Sequence, residues 1–181
     1  MSKIIAIVGP SGSGKTVLGQ LALQPIGGQE IVSTTTRAPR KGEVDGVNYN
    51  FVTKEEFENL IAQNAMLEYT NYAGAFYGMQ RATIENMMKQ YNLIYAVVDI
   101  IGAQAMKQHF GDAVTIVFVR VHPDTIYRRM AERGDDPAAI QKRLQHAKEK
   151  HEFDNGKYCD VIVDNESRLE DAIFAMQEVA K

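Results

Sequence analysis

Apolar residues gather in short runs: Lys3 to Val8 (KIIAIV), Leu93 to Val98 (LIYAVV), Val114 to Val119 (VTIVFV) and a last one at Val161 to Val163. Regular alternation with polar residues is missing, so the first three predict buried strands, as in a parallel sheet, and the last a short strand. Glu30 to Thr35 predicts a further strand. Helical patterns fill the gaps. One helix runs to about Leu23, where Pro25-Ile26-Gly27-Gly28 ends it. Thr53-Lys54-Glu55-Glu56 has the S/T-x-x-E form of a capping box, and the helix it opens reaches about Gln63 with Phe57, Leu60 and Ile61 on one face. Others are expected at about 81 to 90, at Gly102 to His109, and over 123 to 150 with a break at Gly134-Asp135-Asp136-Pro137. An amphipathic helix over about Leu169 to Val179 comes last. Strands alternating with helices predict an α/β fold with a mainly parallel sheet covered on both faces.

Residues 33 to 80 break this rhythm. Pro39, Gly42 and Gly46 mark 36 to 50 as loop or hairpin, and the tyrosine-rich stretch from 66 to 77 predicts strands near an exposed site. This segment reads as an inserted substrate-binding region.

A length of 181 residues with 45% apolar content suggests one globular unit with small mobile insertions. Met1 to Val8 is too short and too weakly basic for a secretory signal, and the run stops at Gly9-Pro10, so no membrane span is expected there. Cys159 is the only cysteine, which excludes an intrachain disulfide and suits a reducing cytoplasm. The net charge of -3 argues against a general nucleic-acid binder. Positive charge is local instead: Arg37, Arg40 and Lys41 form one cluster, and Arg128, Arg129, Arg133, Lys142 and Arg143 another. Two basic clusters in an acidic chain suit small polyanionic ligands.

The sharpest motif is Gly9-Pro10-Ser11-Gly12-Ser13-Gly14-Lys15-Thr16, which fits G-x-x-x-x-G-K-S/T between an expected strand and an expected helix. Its glycines let backbone N–H groups turn around phosphate oxygens, and the helix N-terminus adds partial positive charge. Lys15 is then expected on the β and γ phosphates of ATP, and the Thr16 hydroxyl on Mg²⁺. The fold expected is a P-loop NTPase core. Asp99-Ile100-Ile101-Gly102 has the D-x-x-G form of a GTPase, but no N-K-x-D motif accompanies it. A second signal is Ser33-Thr34-Thr35-Thr36-Arg37-Ala38-Pro39-Arg40. Two arginines three apart, stiffened by Pro39, can both face one phosphate through their planar forks.

With the P-loop, STTTRAPR-KGEVDGVNYNFV, Glu68, Phe76-Tyr77-Gly78, Val98-Asp99, Arg133-Gly134 and Lys142-Arg143-Leu144 in view, the chain resembles the guanylate kinases along its whole length. The resemblance implies a five-stranded parallel core of residues 1–32, 81–123 and 151–181, a GMP-binding region at 33–80 and a helical lid at 124–150. It implies ATP and GMP as substrates, with Arg37, Arg40, Tyr49 and Tyr77 on the GMP phosphate and Ser33, Glu68 and Asp99 on guanine. Lys15, Arg129, Arg133 and Arg143 would serve the transferring phosphoryl group. Guanine offers N1–H and N2–H₂ side by side, and an ionised carboxylate such as Glu68 accepts both. The chain departs from the family pattern at Met79, Val97 and Ile101, and in the order of Asp164-Asn165. A kinase for another small acceptor is the alternative that Met79 and Ile101 favour. A non-catalytic interaction module is a second, against which the intact Lys15 and Thr16 count. A monomer or homodimer, with no nucleic acid or membrane partner, completes the expectation.

Overall fold

β1 (Lys3–Val8) is buried along nearly its whole length because its two faces serve two separate cores. Ile5 and Ile7 join one cluster, and Ile4, Ala6 and Val8 join the other. This is the period-2 consequence of a strand sandwiched between helices. The computed structural model describes residues 2–40, 42–72 and 74–181, with Tyr72 described by its backbone only. Lys41 of the first basic cluster lies outside the described residues.

Five parallel strands form the main sheet: β1, β2 (Gln29–Glu30), β7 (Leu93–Val97), β8 (Val114–Arg120) and β9 (Val161–Asp164), in the order β2-β7-β1-β8-β9. One face is covered by α1 (Lys15–Leu23) and α7 (Leu169–Ala180), whose Leu18, Leu23 and Met176 are buried there. The other is covered by α3 (Arg81–Gln90) and α4 (Ile100–Phe110), through Ile84, Ala103 and Met106. The expected α/β architecture is present.

A second, four-stranded sheet is built from the inserted segment: β3 (Thr34–Thr35), β4 (Asn50–Phe51), β5 (Met66–Tyr72) and β6 (Ala75–Gln80), ordered β4-β3-β6-β5. Its register sorts the tyrosine-rich stretch onto two faces. Tyr69 lies opposite Gly78 and Asn71 opposite Phe76, while Glu68 lies opposite Met79 and Thr70 opposite Tyr77. α2 (Lys54–Ala62) covers the first set: its buried Phe57 stacks on Phe76 at 5.2 Å and meets Tyr69 edge-on at 6.3 Å. Glu68, Thr70, Tyr77 and Met79 therefore share the opposite face. α5 (Pro123–Glu132) and α6 (Pro137–Glu149) break at the expected place, where Gly134 takes a φ of 89°.

Two expectations need correction. Glu30 to Thr35 is not one strand: β2 ends at Glu30 in the parallel sheet and β3 begins at Thr34 in the second sheet. The chain changes sheets over Ile31 to Ser33, so one apolar pattern serves two partners. The helix expected from Gly102 starts at Ile100 instead, because Asp99 caps it by accepting a hydrogen bond from Gly102 N–H at 2.8 Å.

Candidate active site

The glycine loop runs from the end of β1 into α1. Gly12 and Gly14 hold φ of 84° and 87°, which L side chains rarely adopt. Space forbids side chains as well. A Cβ on Gly9 would lie 2.7 Å from the Val119 carbonyl oxygen, one on Gly12 would lie 2.4 Å from Met130 Cε, and one on Gly14 would lie 2.7 Å from Asn165 Nδ2. Pro10 is buried, Ser11 is exposed, and Ser13 N–H donates to the Pro10 carbonyl at 3.1 Å. Lys15 curls back over the loop, donating from Nζ to the carbonyls of Gly9 at 2.7 Å and Pro10 at 2.9 Å. Burial lowers its pKa to about 8, against a smaller opposing pull from Glu152. Thr16, one residue into α1, is exposed. Among the described residues the buried Ser13 Oγ has no hydrogen-bond partner.

Asn165, which the sequence marks only as half of the reordered Asp164-Asn165 pair, braces this loop. Buried just past β9, it donates from Nδ2 to the Ser13 carbonyl at 2.9 Å. Its own carbonyl accepts Arg129 Nη2 at 2.7 Å. A single asparagine in a polar stretch carries no sequence signal for such a role, because the contact joins residues far apart in the chain.

The second sheet gathers the other set. Arg37 sits with its guanidinium carbon 5.4 Å from the Tyr49 ring centre and 5.7 Å from that of Phe51. Tyr49 and Tyr77 meet edge to face at 6.0 Å. Glu43 bonds Arg37 through both carboxylate oxygens at 2.9 Å and holds its pKa above the ordinary value. Arg40 is exposed, and Ser33, half-buried, accepts Asn50 N–H at its carbonyl. Glu68 and Asp99 converge from two elements on one point: a Cβ built on Gly102 would stand 3.4 Å from Glu68 Cδ and 3.4 Å from Asp99 Oδ1. Burial, and then the Asp99 charge, push the Glu68 carboxyl up to about 7. Met79 is packed in the core beside the Ile84 cluster, whereas Ile101 is 70% exposed.

Among the described residues, Arg129 is the helical arginine that bonds the loop's brace. Arg133 bonds Asp135 through Nε at 3.0 Å and Nη2 at 2.5 Å, and Arg143 Nη1 stands 4.0 Å from the same carboxylate. The structure thus brings Gly9 to Thr16 together with Arg129. It brings Arg37, Tyr49 and Tyr77 together, and Glu68 with Asp99. Arg133 and Arg143 form a separate exposed cluster around Asp135.

A glycine cradle with an inward lysine, together with a small inserted sheet carrying an arginine and a carboxylate, defines a P-loop nucleoside-monophosphate kinase. Comparison with known proteins narrows the class. The family model described as guanylate kinase matches residues 1–181. A guanylate kinase of Synechococcus sp. (strain JA-3-3Ab) is 38% identical over 177 residues, covering 97% of this chain and 80% of that one. One from Fusobacterium nucleatum is 33% identical over 167 residues, covering 92% and 90%. The crystal structure of guanylate kinase from Anaplasma phagocytophilum superposes with a TM-score of 0.73 at 25% identity, over 99% of this chain and 84% of that one. The chain belongs to the guanylate kinase family.

Proposed function

We propose that this protein phosphorylates GMP, and dGMP, from ATP, yielding ADP and GDP. The observation that carries the reading is the layout of one sheet face. Glu68 lies at one position of β5 and Tyr77 opposite Thr70, two residues or about 6.7 Å further along the strand. Tyr77 contacts the Tyr49–Arg37 group. An acceptor for a base's donor edge and a cationic aromatic pocket for a phosphate are thus spaced along one surface, as a mononucleotide requires.

In this reading residues 1–32, 81–123 and 151–181 act as the core, 33–80 as the acceptor region and 124–150 as the lid. Arg37, Arg40, Tyr49 and Tyr77 hold the GMP phosphate, and Ser33, Glu68 and Asp99 read the base. Ionised Glu68 accepts guanine N1–H and N2–H₂. Adenine lacks that donor pair and would leave a desolvated carboxylate unpaired, at a cost of roughly 1–3 kcal/mol or more. A GMP phosphate oxygen attacks the γ-phosphorus as the bond to the ADP oxygen breaks. The loop amides and Lys15 hold the donor phosphates in line, and Arg129, Arg133 and Arg143 neutralise charge spread over the transferring group.

The residues present fit a magnesium ion carried by ATP. That ion keeps most of its waters and takes few protein oxygens. Thr16, an exposed residue, carries a hydroxyl next to a cradle that a Cβ would fill. Thr16 would hold it, and the ion would supply charge neutralisation across the β and γ phosphates. Among the described residues no helix is long and apolar enough to cross a membrane. A cytoplasmic enzyme, monomeric or homodimeric, acting on free nucleotides completes the proposal.

The test is an ADP-release assay over GMP, dGMP, AMP, CMP and UMP. Turnover of GMP and dGMP at least about tenfold above the others is expected from the unpaired-carboxylate cost. AMP accepted as well as GMP would overturn the base assignment. Arg40→Ala should raise the KM for GMP far more than that for ATP; equal losses would contradict the division into two phosphate sites.

A further inference from the structure

Arg37 is already committed on one edge. Its Nη1 donates to the Ala38 carbonyl at 2.7 Å and to Glu43 Oε2 at 2.9 Å, and its Nη2 donates to Glu43 Oε1 at 2.9 Å. A guanidinium has five N–H donors in a fixed fork. Those bonds consume both donors on Nη1 and one on Nη2. The remaining Nε–H and Nη2–H lie on a single edge, the Tyr77 hydroxyl is also near the guanidinium, and such an edge takes two phosphate oxygens in parallel. The Tyr49 and Phe51 rings flank the group at 5.4 and 5.7 Å.

Glu43 is itself fixed. Its Oε2 also accepts the Arg40 backbone N–H at 2.7 Å. The loop that carries it is closed by side-chain bonds of its own: Val44 N–H to Asn48 Oδ1 at 2.9 Å and Phe51 N–H to Asp45 Oδ1 at 2.8 Å. Gly46 N–H donates to the Tyr49 carbonyl at 2.8 Å. Displacing Glu43 from Arg37 would break the fork and loosen the amide of Arg40 together, so the carboxylate does not act as a stand-in that phosphate expels.

We propose that Glu43 is a positioning residue for the acceptor phosphate: it grips one edge of Arg37 so that the other faces the ligand, and it sets Arg40 in register through the backbone. This rests on the reading of the Arg37 pocket as the acceptor-phosphate site. Glu43 touches no reacting atom, and its effect passes through Arg37.

Steady-state kinetics of Glu43→Gln, Arg37→Ala and the double variant provide the test. Glu43→Gln should raise the KM for GMP on the order of tenfold, the scale of one charge-assisted hydrogen bond. The KM for ATP and the melting temperature should stay near those of the parent. In the Arg37→Ala background the same change should add almost nothing, since its target is gone. Equal loss in both backgrounds would overturn the proposal, as would a lower KM for GMP, which would make Glu43 a competitor. Loss of ATP binding or of the folded state in Glu43→Gln would reduce it to a structural brace and also overturn it. If Arg37→Ala itself left the KM for GMP unchanged, the acceptor-site reading would fall, which is a separate result.

Discussion

The Glu68 carboxyl ordinarily titrates near 4.5, but here burial, and next the neighbouring Asp99, raise it to about 7. The folded state therefore keeps a proton that the unfolded state has lost across that window. This contributes stability that is fully present below about 4.5 and is lost as pH rises through 7. Glu68→Gln removes the slope, so the variant's melting temperature relative to the parent should climb between pH 5 and pH 8. Binding runs the other way. If ionised Glu68 receives guanine, the KM for GMP should rise about tenfold for each pH unit below 7. The GMP phosphate titrates in the same region, so the readout is the difference between parent and Glu68→Gln. Identical pH profiles for the two would remove Glu68 from base recognition. At the donor site, Lys15 is the residue whose loss should cost most, with kcat down by about 10²–10³ in Lys15→Ala, the scale of one removed electrostatic contact. Single-turnover measurement with saturating nucleotides checks this; a kcat within twofold of the parent would refute the role.

Helices and strands divide differently between what the sequence reveals and what only packing decides. The capping box at Thr53 is present as its spacing predicts: Thr53 Oγ1 accepts Glu56 N–H at 3.1 Å and Glu56 Oε2 accepts Thr53 N–H at 2.7 Å. All of its partners lie within one turn, so local sequence suffices. The glycine loop was legible for the same reason. The hairpin's two faces were not, because which of Tyr69 and Tyr77 meets Phe57 depends on register with a distant strand. The switch between β2 and β3 and the brace from Asn165 to Ser13 escaped for that reason too. Arg37 and Glu43 stand six apart and were both visible within one motif, yet their fork bond needed the loop's fold. Thr53→Ala should cost about 1 kcal/mol, or about 2–4 °C in melting temperature. Phe57 carries the cover of the second sheet, so, if that sheet holds the acceptor as proposed, the KM for GMP should shift with that loss of stability while the KM for ATP holds. Differential scanning fluorimetry with kinetics on both substrates tests it, and an unchanged melting point would show that the cap is redundant.

At the scale of the whole molecule, the glycine loop is joined to α5 by close packing and by hydrogen bonds through Asn165. Gly12 leaves only enough room for Met130 and Ile126 of α5, and Asn165 holds Ser13 with its side chain and Arg129 with its carbonyl. A shift of the loop is therefore expected to disturb α5, and through α5 the turn at Gly134 and the Arg133–Asp135–Arg143 cluster beyond it. Asn165→Ala keeps the carbonyl that receives Arg129 and removes only the amide on Ser13. A buried carbonyl left without a partner costs about 1–3 kcal/mol. The loop should relieve that cost by opening, so the KM for ATP should rise more than the KM for GMP. Gly12→Ala acts on the same tie from the other side, by steric conflict at Met130 and by strain at a φ of 84°. Amide hydrogen exchange distinguishes a tie from mere proximity. In both variants exchange should quicken over residues 123–149 as well as over 9–16, while α2 and the acceptor sheet stay as protected as in the parent. Faster exchange confined to residues 9–16 would mean that loop and helix pair move independently.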